Sequence, residues 1–158
     1  NANDVFAKYL ETGQFRPQPS KQTHSNAMDV GNPSNFARIQ YLYDYQLARI
    51  RQDIESYSFG DEATAAAIKE VSQKYHYILD PHSAVAYLGF QQYQKKQPES
   101  IGIILETAHP AKFADIVEPI IKEKIPIPPC LRKCLQKTRK SLLFPNSFPK
   151  LKQFLLAI

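Results

Sequence analysis

Glycine is scarce in this chain, five residues in 158. With it go the glycine-rich phosphate cradles and the strained nucleophile turn. No G-x-G-x-x-G, no G-x-x-x-x-G-K-[ST] and no G-x-S-x-G occurs. Cysteine is limited to Cys130 and Cys134. Two thiols without a nearby histidine pair make a poor zinc signal, and the expectation is two free thiols, buried or half-buried. The four histidines, His24, His76, His82 and His109, show no H-x-x-x-H spacing, so no metal site is predicted. No apolar run approaches the roughly 20 residues of a membrane-spanning helix. Internal repeats and low-complexity tracts are missing too. What remains is an ordinary globular composition, 43% hydrophobic and 22% charged, long enough for one domain with a real core.

The formal charge of +5 is unevenly placed. From Lys122 onward there are seven Lys and two Arg against the single Glu123. A basic tail of this kind is either a solvated helical face or a surface for nucleic acid. Aromatic residues that would stack on bases are few there: Phe144, Phe148 and Phe154.

Along the chain, periodicity and capping signals predict mostly helices. A short one covers residues 4–12 and stops at Gly13. A long loop with Pro17, Pro19, Pro33 and Gly31 follows, and long ordered loops are often functional. One continuous helix is predicted over 33–56, because Phe36, Ile39, Tyr43, Leu47, Ile50 and Ile54 recur at helical steps. Asp61 is read as the cap of an Ala-rich helix ending near Tyr75. Residues 76–80 read as a short extended piece. Pro81 opens the next helix, in which Ser83, Ala84 and Ala86 permit close approach to a neighbour. Residues 101–107, IGIILET, form the best strand, apolar enough to suggest burial on both faces of a parallel sheet. A helix over 110–124 is expected to kink or split at Pro119. A basic helix near 129–140 and a last helix from Lys150 complete the pattern. One strand cannot make a sheet alone, so its partners are expected outside this sequence.

Four stretches carry a resemblance. The opening NAND (1–4), SNAMDVGNPSNF (25–36), DPHSAVAY (80–87) and TAHPAKF (107–113) occur in the order found in threonine synthases. The ending FPNSFPKLKQFLLAI is similar to that family's last residues, so the resemblance covers essentially the whole chain. It implies an α/β fold: the C-terminal part of a tryptophan synthase β-subunit-like, pyridoxal-phosphate-dependent structure, mostly helical with a few remaining parallel strands. Residues 1–125 would belong to the large α/β domain and 126–158 would form a basic helical tail. The activity implied is conversion of O-phosphohomoserine and water to threonine and phosphate, in the cytoplasm, with pyridoxal 5'-phosphate as cofactor.

The resemblance also implies roles. Thr107 matches the residue whose hydroxyl faces the cofactor's pyridine nitrogen. An alcohol is too weak an acid to protonate that nitrogen, so it leaves the ring a milder electron sink than an Asp would. Asn3, Ser25, Asn26, Asp29 and Asn35 fall in segments near the active-site cleft, where they either contact substrate or brace the loop. Asn1 and Asn3 are expected to end a strand, with Asn3 near the cofactor or capping the next helix. His82 and His109 are expected to support the residues that touch substrate. For His109 a structural hydrogen bond is the reading, with an acid–base role as the alternative.

Two departures matter. The family's Phe-Lys-Asp motif, which carries the Schiff-base lysine, does not occur here, nor does its Ser-Gly-Asn-Phe-Gly loop. Lys112, in PAKF, is not that lysine. Both motifs lie upstream of NAND in the family. The chain is therefore expected to be a C-terminal piece, inactive alone, whose partner is the N-terminal part of the same enzyme, and to self-associate through the exposed sheet edge. No nucleic-acid or membrane partner is implied. Two alternatives remain: a non-catalytic relative that binds phosphorylated ligands, and a small basic helical module that binds nucleic acid.

Overall fold

The Ala-rich segment builds the centre of the larger unit. The computed structural model describes residues 1–157, in two units divided after Pro126. In the first, the helices are α1 (Val5–Thr12), α2 (Phe36–Leu42), α3 (Leu47–Asp53), α4 (Asp61–Tyr75), α5 (Pro81–Gln94) and α6 (Ala114–Ile121). Thr64, Ala67, Ile68 and Val71 recur every three or four residues along α4 and form its buried stripe. Against it α5 turns Ser83 and Ala84, both buried, and these small side chains let the two helices approach closely. Phe113, Val117 and Ile125 complete this core from the α6 side. A second core gathers Tyr9 and Leu10 of α1, Phe36 of α2 and Ile50 of α3, with the rings of Phe15 and Phe36 stacked 4.3 Å apart.

The single helix expected over 33–56 is two helices. Asp44 and Tyr45 adopt left-handed backbone angles, φ 51° and 59°, which break the hydrogen-bond ladder between α2 and α3. The break preserves the buried pattern: Ile39, Tyr43, Leu47 and Ile54 still pack on the second core. Side-chain periodicity reports which face is buried, and a two-residue reversal that keeps the face is invisible to it.

Pro119 does not split its helix. The division lies earlier, where a 3₁₀ turn (Pro110–Phe113) passes into α6, and Pro119 sits inside α6. At the far end Lys122 takes a left-handed conformation (φ 59°) and the Glu118 carboxylate receives Lys124 Nζ at 2.5 Å and the Ile125 N–H at 3.1 Å. These two donors, Lys124 foremost, hold the Glu118 carboxyl below its ordinary value of 4.5. A carboxylate depressed on folding contributes stability above its ordinary pKa and loses it as pH falls through the lowered one. Glu118→Gln is thus expected to flatten the acid limb of stability below pH 4.5. Urea midpoints across that range check this, and an unchanged pH slope would contradict it.

No β-strand is present among the described residues, so the expected few parallel strands are corrected. Residues 101–107 take no regular secondary structure, and none of their backbone groups finds a backbone partner among the described residues. A ladder needs a second strand, and the described residues supply none. The burial expected on both of its faces is corrected too, since in 101–107 only Ile104 is even half-buried. Gly102 lies so near Phe90 of α5 that an added Cβ would sit 2.2 Å from the ring. Ile101, Ile103 and Leu105 are 98%, 88% and 77% exposed.

The second unit carries α7 (Pro129–Leu135) and α8 (Phe148–Leu156), with Phe144 and Phe154 in ring contact at 5.3 Å. Cys130 and Cys134 are free and both exposed, which corrects the expected burial. On a helix with no buried residue, an i, i+4 pair has no core to enter. No helix among the described residues is long and apolar enough to cross a membrane.

Candidate functional site

The long loop is fastened to the first residues of the chain by one carboxylate. Asp29 Oδ2 accepts the Thr23 N–H at 2.9 Å, and Oδ1 accepts the Thr23 hydroxyl at 2.6 Å and the Asn3 amide at 3.0 Å. The Asn1 amide reaches Thr23 Oγ1 at 3.0 Å, Ser25 Oγ at 2.9 Å and Asp29 Oδ1 at 3.3 Å. The Asn3 side chain also donates from its amide N–H to the Lys21 carbonyl and accepts the Lys21 N–H at Oδ1, both at 2.8 Å. Thr23 and Ser25 are buried. Further along, the Gln18 N–H donates to the Gly31 carbonyl at 2.9 Å. A Cβ on Gly31 would fall 1.9 Å from Gln18 O, so only glycine fits that approach.

Asn3 caps no helix, which corrects that expectation. Asp4 holds the cap position of α1 without a side-chain capping hydrogen bond, its Oδ1 pairing with Lys8 Nζ at 2.9 Å. Asp61 is not a cap either. It is the first residue of α4 and accepts the His24 N–H at 2.9 Å, tying the loop to that helix. Asn26 and Asn35 are exposed and stand outside the cluster.

A second polar group sits where α5 begins. Asp80, fully buried, caps α5: Oδ1 accepts the His82 N–H at 2.9 Å and lies 2.7 Å from His82 Nδ1, while Oδ2 accepts the Ser83 hydroxyl. Asp–Pro at a helix start is itself a capping signal. The sequence reading used the proline and missed the carboxylate. With Asn1, Asn3 and Ser25, His82 lines a cavity of about 260 Å³.

Thr107 lies elsewhere, in an open groove of about 620 Å³. The groove is shared with His76, Tyr77, Glu106 and His109. Thr107 is exposed and its hydroxyl has no hydrogen-bond partner among the described residues. Its neighbour Glu106 is occupied, accepting the Tyr77 hydroxyl at 2.5 Å, and that bond, with burial, raises the Tyr77 pKa above its ordinary 10.0. His109 Nδ1 accepts the Ala111 N–H at 3.1 Å and so caps the Pro110–Phe113 turn. In the neutral ring the proton is then on Nε2. Of the residues singled out from sequence, the structure groups Asn3, Ser25, Asp29 and His82 on one side and Thr107 with His109 on the other. Thr23, Asp80, Tyr77 and Glu106 were not singled out. Asn1–Thr23 pairing spans 22 residues, and no local spacing announces it.

The helices of the chain superpose on one class of solved protein. Threonine synthase from Escherichia coli matches 99% of this chain and 36% of its own, with a TM-score of 0.78 and 31% identity. Threonine synthase from Brucella melitensis, solved with PLP bound, covers 98% of this chain at TM-score 0.63; at 24% identity it speaks for the fold alone. In sequence, residues 83–155 match the family described as "Threonine synthase, C-terminal". Curated threonine synthases of Serratia marcescens and Buchnera aphidicola (from Acyrthosiphon pisum) are 34% and 38% identical over 158 and 159 residues. Along its whole length the chain is similar to the C-terminal segment of threonine synthases. It spans 36% and 35% of the length of those two relatives.

Proposed function

We propose that this chain is the portion of a threonine synthase that closes the cofactor site from one side, and that the complete enzyme converts O-phosphohomoserine and water to threonine and phosphate. The observation that carries the reading is Thr107: an exposed alcohol without a partner among the described residues, on the wall of a groove. In the family resemblance this position faces the cofactor's ring nitrogen, and the groove fits that use. Thr107 is free to donate, while the adjacent carboxylate of Glu106 is engaged by Tyr77 and does not compete. Pyridoxal 5'-phosphate, when bound, supplies an electron sink for proton loss from the substrate. The chain's own contribution is a neutral donor, set by the turn that His109 caps.

Asp29, Asn1, Asn3, Thr23 and Ser25 form the brace of a cleft-side loop. Their side chains spend their hydrogen bonds on one another, so bracing rather than substrate contact is their role. The segment 101–105 awaits a neighbouring strand from the upstream part of the enzyme, which also supplies the Schiff-base lysine. A chimera tests the proposal: residues 1–158 in place of the matching segment of the Escherichia coli enzyme. The chimera is expected to release phosphate and form threonine, and the 158-residue chain alone is expected to form none. A soluble chimera that binds cofactor yet forms no threonine would contradict the reading, as would activity in the isolated chain.

A further inference from the structure

Thr107 is held differently on its two sides. On the C-terminal side Ala108 packs on the first core, and His109 caps the turn that follows. On the N-terminal side residues 101–107 make no backbone hydrogen bond among the described residues. One hydrogen bond there joins them to the rest of the first unit, from the Tyr77 hydroxyl to Glu106 Oε2 at 2.5 Å. The donor stands on a fixed stretch. His76 closes α4 in a left-handed conformation (φ 53°) and donates its N–H to the Ser72 carbonyl at 3.1 Å. Just past Tyr77, Leu79 is buried in the first core and Asp80 caps α5. The bond to Glu106, with burial, raises the phenol's pKa above its ordinary 10.0, so the hydroxyl keeps its proton and donates throughout the neutral range.

We propose that Tyr77 is a positioning residue: by holding Glu106, its hydroxyl fixes the adjacent Thr107 alcohol on the groove wall. Each residue has two soft backbone dihedrals, so holding both neighbours leaves Thr107 few alternatives. This assignment rests on the role proposed for Thr107 and adds the group that sets its place. On the same reading a neighbouring strand pairs with 101–105, which leaves Glu106 and Thr107 to the side-chain tie.

Two measurements test this, one of them without cofactor. In the 158-residue chain, Tyr77→Phe removes the hydroxyl of an exposed side chain. It is expected to lower the N–H order parameters of Glu106 and Thr107 and to leave those of α4 unchanged. Glu106→Gln keeps an oxygen for the phenol and is expected to lose less order than Glu106→Ala. Parent-like order parameters at 106 and 107 in Tyr77→Phe overturn the proposal. In the Escherichia coli chimera, Tyr77→Phe is expected to lower kcat about fivefold, with KM changed less, and to cost nothing further in a Thr107→Val chimera. An equal loss in both backgrounds would mean that Tyr77 acts on something other than Thr107, and overturns the proposal too. A chimera that forms no threonine, or one that tolerates Thr107→Val, counts against the proposed function instead, and the order parameters then decide the tie by themselves.

Discussion

Asp80→Ala is expected to lower unfolding stability by about 4 kcal/mol. Three losses contribute. The N-cap of α5 goes, which is worth about 1 kcal/mol. The His82 Nδ1–H and the Ser83 hydroxyl then lose their acceptor, at about 1–3 kcal/mol each. Ser83 and Asp80 are both fully buried, so water does not readily replace the carboxylate. Single-domain stabilities run to about 5–15 kcal/mol, so the variant should be near the edge of folding. Asp80→Asn keeps a capping oxygen and is expected to lose less than half as much. Urea midpoints of the two variants settle the matter, and an Asp80→Ala chain within 1 kcal/mol (roughly the cap alone) of the parent would contradict the network.

The second large effect concerns association. Residues 101–105 present Ile101, Ile103 and Leu105 to solvent, with unpaired backbone groups beside them. An edge of this kind is a template for another strand. On the proposed reading that strand comes from the upstream part of the enzyme. In the 158-residue chain the available partner is a second copy, and self-association rising with concentration is expected. Ile103→Lys places a charge on the edge and removes a side chain whose burial stabilises by about 1.5–3 kcal/mol per copy. The association constant should fall by about a hundredfold or more. Sedimentation of both proteins over a range of concentrations checks this. A parent chain that stays monomeric throughout would show that the edge is blunted in a way the exposures do not reveal.

The helices were legible because their signals are local. Gly13 after α1, the alanines of α4, Pro81 before α5 and the small Ser83–Ala84 pair each act within a few residues. The strand expected from the continuous apolar run 101–105 is not formed, since a ladder is a property of two segments and the described residues supply no second one. The interruption at Asp44–Tyr45 left no trace because the buried face continues across it. Thr107 stood out through its flanking Pro110 and the family pattern. The brace around Asp29 was half visible: Ser25, Asn26 and Asp29 were named from the resemblance. The structure kept Ser25 and Asp29, released Asn26 to solvent and added Thr23. Which polar residues of a loop meet is decided by its path back to the N-terminal residues, and spacing does not encode that path.

The most direct measurement is threonine formation by the chimera carrying Thr107→Ser, Thr107→Val and Thr107→Asp, each compared with the parent at equal cofactor content. If Thr107 donates its hydroxyl to the ring nitrogen, Ser keeps most of the rate. Val, of the same shape without the donor, loses about tenfold or more, and Asp binds the cofactor with altered reactivity. Parent-like rates in both the Val and the Asp proteins would mean that the alcohol at position 107 does not serve the cofactor.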